Sequence, residues 1–173
     1  IPARPPFRRR YPEPMDVSGI DIGTGHLPSD IVLGAMRAGH LAERTLASIL
    51  RPHDLTPASY NVLNVLHRAG RPLCPSTIGQ LLLVTRGTMT GLIDSLERRE
   101  YVVRIPHPED GRMTLIAVTP AGTDLLTELG PAHRKATAEV VAGLHDGDPE
   151  DVASTLAGLQ DAMDKWLLAH LGD

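Results

Sequence analysis

Aromatic side chains are nearly missing from this chain, which has one Phe, one Trp and three Tyr among 173 residues. The core must therefore be aliphatic, and single-stranded nucleic acid, which is held by stacking bases on aromatic platforms, is a poor candidate partner. A single cysteine, Cys74, excludes an intrachain disulfide and any CxxC metal or redox motif. Nor is there an excess of positive charge: the formal net charge is −4, unlike that of a bulk polyanion binder. No apolar run approaches the length that crosses a bilayer and no stretch reads as a secretory h-region, so the expectation is a cytoplasmic protein with no membrane partner. Catalytic patterns are missing as well, with no HExxH, no histidine pair at ligand spacing, no GxSxG and no phosphate loop. The expectation is a protein that is not an enzyme, with no cofactor and no metal. His40 and Glu43, three residues apart on one helix, read as a surface pair rather than ligands. Cys74 precedes Pro75 at a helix start, where an N-cap position is favoured over a stabilised thiolate.

What is present is concentrated between Cys74 and Thr119. Ile78, Leu81 and Leu82 mark one face of a short helix, and Met89, Leu92, Ile93 and Leu96, at i, i+3, i+4, i+7, mark a second. The period then changes to two. Val102–Ile105 and the alternation Met113, Leu115, Ala117 flank the polar, proline-stiffened tip Pro106–Gly111, which predicts a β-hairpin. Helix, turn, helix and hairpin in this order make a winged helix-turn-helix, which lays its second helix in a DNA major groove while the hairpin reaches a neighbouring groove. The polar face of that second helix carries Thr85, Arg86, Thr88, Thr90 and Asp94. A helix N-terminus favours phosphate, and arginine can donate two hydrogen bonds to guanine. The candidate DNA contacts are Ser76 and Thr77 on the first helix, Thr85, Arg86, Thr88 and Thr90 on the second, and Asp110 and Arg112 at the tip. Asp110 and Arg112, two residues apart across Gly111, are expected to pair and hold the arginine extended. Residues 71–112 contain six Arg against five acidic residues, a weakly positive segment in an acidic chain, which suits duplex reading better than bulk adhesion.

This segment resembles the MarR family of transcriptional regulators. The family's usual run is an LAxxL helix, a TxxxLVxxLExxG recognition helix and a wing of the form DPxDxRxxxVxLTxxG. Here the corresponding runs are Ile78-Gly79-Gln80-Leu81-Leu82, Thr88 to Arg99, and His107-Pro108-Glu109-Asp110-Gly111-Arg112 through Val118-Thr119-Pro120-Ala121-Gly122. The wing is the sharpest match, and a looser likeness covers residues 29 to 170. Three positions depart from the pattern. Gly91 stands where the family often has Arg, Leu83 where the turn often has Gly, and Glu100 where Gly usually ends the recognition helix. A side chain is costly in a left-handed turn, so the backbone at Leu83 and Glu100 is expected to differ locally.

Around this head the chain reads as helical. Residues 1–26, rich in Pro and Arg and including Arg8-Arg9-Arg10, have no hydrophobic periodicity and read as an arm. A first helix over 27–50 is expected with Ser29 as N-cap and Asp30 in its first turn. Its apolar residues spread around its circumference, as in a helix with two partners. Thr56-Pro57, Thr119-Pro120 and Asp148-Pro149 are N-cap-plus-proline starts of later helices. Pro131 predicts a kink or a join between two helical pieces, and Asp146-Gly147-Asp148 a turn. The expected fold is mostly α with a small β-hairpin wing: a winged helix-turn-helix DNA-binding lobe over 55–119 and a helical dimerisation lobe from 27–50 and 120–171, all within one domain, 27–173.

The resemblance implies a homodimer on a pseudo-palindromic operator of double-stranded DNA, acting as a repressor released by a small organic effector. The family's effector site lies between the dimer helices and the reading head. The candidate lining residues here are Met36, His40, Tyr60 and Asn64. A module of the same fold that binds effectors or proteins without DNA activity stays open beside this reading.

Overall fold

The structure, a computed structural model, describes residues 23–143 and 147–171. Arg8, Arg9 and Arg10 of the arm, Leu144 and Asp146, and the side chain of Leu171 lie outside the described residues. The chain divides into two units, Ile1–His40 and Leu41–Asp173.

Helix α1 (Leu27–Leu50) begins two residues before the Ser29 expected as its N-cap. The local hydrogen bonds explain the earlier start. The Asp30 N–H donates to the His26 carbonyl at 3.1 Å, so His26 already stands at the head of the helix. The Asp30 carboxylate accepts from the Thr24 N–H at 2.6 Å and from its hydroxyl at 2.8 Å. The Ser29 hydroxyl, inside the first turn, lies 3.0 Å from the His26 ring instead of capping.

In the second unit the helix starts follow the capping chemistry. Thr56 heads α2 (Pro57–Ala69) and accepts from the Ser59 N–H at 3.1 Å. Thr119 heads α5 (Pro120–Ala142) and accepts from the Gly122 N–H at 3.1 Å. Asp148 heads α6 (Pro149–Leu171) and accepts from the Glu150 N–H at 2.9 Å. Each satisfies an N–H that no helical carbonyl can reach, and the proline after it has none to lose. Cys74 stands at the N-cap of α3 (Pro75–Leu82) without a side-chain hydrogen bond. Helix α5 is one unbroken helix through Pro131, not two joined pieces.

Helix α4 (Arg86–Arg98) buries Met89, Ile93 and Leu96. On α3 the inward face is Ile78 and Gly79, with Leu82 half-buried, whereas Leu81 is 61% exposed, against the expected apolar stripe. Gly79 explains the shift: its Cβ would come to 3.3 Å from the Val84 carbonyl oxygen, so the backbone itself packs there. Strands β1 (Val102–Pro106) and β2 (Thr114–Val118) pair antiparallel, from Val102 opposite Val118 to Pro106 opposite Thr114. The buried phase of β2 is Ile116, not the expected Met113, Leu115 and Ala117. Leu73 sets it by bridging to Ile116 through two backbone hydrogen bonds of 2.8 and 3.0 Å, which fixes β2 against the segment before α3. The core of this unit gathers Leu63 and Leu66 of α2, Ile78, Ile93 and Leu96, Ile116, and Leu125, Leu126 and Leu129 of α5.

Candidate nucleic-acid interface

The link from α3 to α4 is three residues, Leu83-Val84-Thr85. Leu83 takes the left-handed conformation, φ +54°, and its N–H returns to the Gln80 carbonyl at 3.3 Å, while the Val84 N–H bonds the Gly79 carbonyl at 3.0 Å. Glu100, after α4, is left-handed too, φ +61°. The expectation of a different backbone at these positions is therefore corrected. Both turns keep the conformation that glycine adopts easily, because closing the orphan carbonyls outweighs the steric cost of a Cβ.

That turn aims the N-terminus of α4 outward. Thr85 is its N-cap, accepting from the Thr88 N–H at 3.3 Å, and the Thr85 and Thr88 hydroxyls lie 2.9 Å apart. Thr90 donates its hydroxyl to the Arg86 carbonyl at 3.0 Å, which leaves its lone pairs as acceptors. Arg86, Thr88, Thr90 and Gly91 are exposed, as are Ser76 and Thr77 in the first turn of α3. A Cβ at Gly91 would meet nothing within 4 Å, so no packing demand explains the missing side chain there.

The arginines of this region sort by what they touch. Arg98 donates to the Asp94 carbonyl at 3.2 Å. Arg99 donates to the Asp54 and His53 carbonyls at 2.5 and 2.7 Å and sits over the Tyr101 ring, 5.1 Å from its centroid. Arg104 of β1 reaches back to α4, pairing with Asp94 at 2.5 Å and with Glu97. The hydrogen bond it donates to Asp94 foremost, with the two carboxylate charges, holds its guanidinium in the charged form even more firmly than usual. Asp94, read from the sequence as part of the reading face, is thus the anchor that fixes the wing to α4. Among the described residues, Arg86 and Arg112 are in no ion pair, so their guanidinia are available to an outside acceptor.

At the tip, the expected pairing of the Asp110 and Arg112 side chains is corrected. The Asp110 carboxylate accepts from the backbone N–H of Arg112 at 3.0 Å. An aspartate so placed reaches the main chain two residues on more readily than the end of a long side chain. The turn is closed by Met113 N–H to Asp110 carbonyl at 2.9 Å and His107 N–H to Met113 carbonyl at 3.1 Å.

A pocket of about 360 Å³ opens between α2 and α5, lined by Tyr60, Asn64, His67, Leu126, Thr127, Gly130, His133 and Arg134. Tyr60 and Asn64 are residues the sequence reading offered; Met36 and His40 stand exposed on α1 in the first unit. His67, His133 and Arg134 were missed, though Tyr60, Asn64 and His67 fall at i, i+4, i+7 and Leu126, Gly130 and His133 repeat that spacing on α5, with Arg134 next to them. The Tyr60 and His133 rings lie 5.4 Å apart. Burial pushes the Tyr60 phenol above its usual range against the opposing pull of the Arg134 cation, so at neutral pH it is a hydrogen-bond donor. Gly130 leaves room for Arg134, whose guanidinium nitrogen lies 3.0 Å from where a Cβ would stand. The pocket thus sets the Leu126 side chain beside a phenol, an amide, two imidazoles and a guanidinium, a set that can hold a small organic molecule bearing an anionic or polar end. No group of His, Cys, Asp and Glu among the described residues is arranged to hold a metal ion.

The MarR family model matches residues 53–113 of this chain. The HTH-type transcriptional regulator MhqR of Bacillus subtilis (strain 168) is 31% identical over 102 residues, 58% of this chain and 69% of that protein. Among solved structures, CouR from Rhodococcus jostii RHA1 bound to p-coumaroyl-CoA superposes with a TM-score of 0.68 at 25% identity, covering 80% of this chain and 94% of that one. A mutant MarR from Escherichia coli complexed with operator DNA gives a TM-score of 0.68 at 23% identity over 83% of this chain and 99% of that one, a likeness of fold.

Proposed function

Because this chain belongs to the MarR family of transcriptional regulators, we propose that it binds double-stranded DNA of defined sequence as a homodimer and acts as a cytoplasmic repressor that a small organic ligand releases from its operator. The exposed N-terminal turn of α4 carries this reading. There Arg86 is unpaired within the described residues and Thr88 and Thr90 flank it, while three neighbouring arginines are tied down by the fold. Hydroxyl acceptors and a free guanidinium at a helix N-terminus are what base edges and phosphates require. Ser76 and Thr77 add phosphate contacts, and Arg112, on a tip shaped by Asp110, reaches the adjacent groove.

Dimerisation is supported by apolar side chains left in solvent. On α6 these are Leu156, Trp166, Leu167 and Leu168, from 45 to 75% exposed, and on α1 they include Ile31, Met36 and Leu41. A two-fold interface would cover them and present two α4 helices to a pseudo-palindromic site.

The effector reading rests on the pocket between α2 and α5. Helix α2 packs against both α3 and α4 as well as α5, so a ligand that wedges α2 from α5 biases the angle at which α4 is presented. CouR is described with p-coumaroyl-CoA bound, and a ligand with an aromatic or acyl body and an anionic end matches Leu126, the Tyr60 ring and Arg134 here. A second reading, a docking module without DNA activity, is favoured by Gly91 alone.

The test is the replacement of Arg86 or Thr90 by Ala, with binding measured on an operator and on variants changed one base pair at a time. The expected loss is about 1–3 kcal/mol concentrated at particular base pairs. No loss from either would remove α4 from the groove and leave the docking reading.

A further inference from the structure

The ring of His107 is built into the base of the wing tip. Its Nδ1 accepts the backbone N–H of Glu109 at 3.2 Å and that of Asp110 at 3.3 Å. Both partners are N–H donors, so Nδ1 must carry a lone pair and the ring proton sits on Nε2. From these two bonds we propose that His107 is a proton-sensitive positioning residue: unprotonated, it latches the wing tip, and taking up one proton at Nδ1 turns the only acceptor into a donor and releases both N–H groups. The proposal rests on the DNA-binding reading above in one respect, that the tip touches DNA.

The release spreads through a short chain of bonds. Freed from the ring, Glu109 and Asp110 lose the hold that fixes the Asp110 main chain, whose carbonyl accepts from Met113 and whose carboxylate accepts from the Arg112 N–H. Arg112 therefore loses its fixed place. Histidine is the side chain that changes charge between about pH 5 and 8, whereas the wing form that this segment resembles has Asp there, an acceptor down to about pH 4. The other titratable groups of the tip are Glu109, Asp110 and Arg112. Strand β2 carries none, and Arg104 of β1 is engaged with Asp94 and Glu97. The sign separates the latch from plain electrostatics. A protonated histidine adds positive charge beside DNA and by itself tightens binding at acid pH, whereas an opened latch weakens it.

The test uses the full chain, its His107→Asp variant, which keeps a carboxylate acceptor in place of the ring, and His107→Phe, which has no acceptor. The amide signals of Glu109 and Asp110 and the ring nitrogens of His107 are followed by NMR as pH falls from about 7.5 to about 5.5, and operator binding is measured at both ends at constant ionic strength. The expected result is that both amides shift together with protonation of the ring, that the chain loses about tenfold in affinity on acidification relative to His107→Asp, and that His107→Phe binds at the weakened level at both ends. Amides that stay in place while the ring titrates would overturn the latch, and so would pH profiles that run parallel in the chain and His107→Asp. Absence of operator binding at every pH would sink the DNA-binding reading instead, and the amide signals alone would then decide the latch.

Discussion

The Asp110 carboxylate accepts the backbone N–H of Arg112 at 3.0 Å and leaves the Arg112 guanidinium in no ion pair among the described residues. A carboxylate that gripped the guanidinium would compete with phosphate for it, while one that grips the main chain orders the turn and leaves the cation to the ligand. Arg112→Ala is therefore expected to weaken operator binding by more than one ordinary phosphate contact. Asp110→Ala should weaken it severalfold although it removes a negative charge, because an unordered tip loses more entropy on binding. Since Asp110 acts through Arg112, the double variant should bind about as weakly as Arg112→Ala alone. Titrations of the three variants at one salt concentration check this, and losses that simply add would contradict it.

A stability prediction comes from the start of α5. A Cβ on Gly122 would overlap the Tyr101 carbonyl oxygen and come to 2.9 Å from Val118 Cγ2. That carbonyl already accepts the Thr119 N–H at 3.0 Å, and the Thr119 hydroxyl donates to the Glu100 carbonyl at 2.6 Å. The helix start is thus pressed onto the end of the turn after α4 with no room to retreat. Gly122→Ala is expected to destabilise by about 2 kcal/mol or more, as overpacked sites do, measured by urea unfolding. A change under about 0.5 kcal/mol, the range of ordinary surface substitutions, would mean that the contact is looser than described.

Leu83 and Glu100, at φ +54° and +61°, make the opposite prediction. A left-handed residue with a side chain costs roughly 1–2 kcal/mol, and glycine's extra freedom in the unfolded chain takes back about 0.4–1 kcal/mol. Leu83→Gly and Glu100→Gly should each stabilise by a few tenths to about 1 kcal/mol. Leu83 is 84% exposed, so no core contact is lost with it. Destabilisation by either variant in thermal or urea unfolding would show that the side chain supports the turn.

Much of this architecture is written locally. Thr56-Pro57, Thr119-Pro120 and Asp148-Pro149 each announce a helix start because cap and proline act within three residues, and the tip's Pro, Asp and Gly announce the hairpin. What eluded local reading depends on partners far along the chain. Leu115, Ile116, Ala117 and Val118 are all apolar, so alternation cannot choose the inward phase, and Leu73, more than forty residues earlier, makes the choice. Asp94 looks like a reading residue until Arg104 is seen to fold back on it. Ser29 looks like a cap until Thr24 and Asp30 close the chain ahead of it. Of the pocket, Tyr60 and Asn64 stood on a recognisable helix face, but His133 and Arg134 join them only because α5 packs on α2.

The central claim is that paired copies of α4 read DNA through Arg86 and its neighbours. Selection of genomic fragments by the purified chain, with Arg86→Ala carried in parallel, tests it most directly. The account predicts enrichment of one pseudo-palindromic sequence whose half-sites lie about one helical turn, roughly 34 Å, apart, and loss of that motif with Arg86→Ala. Fragments enriched without a shared motif, or the same motif enriched equally by Arg86→Ala, would contradict it.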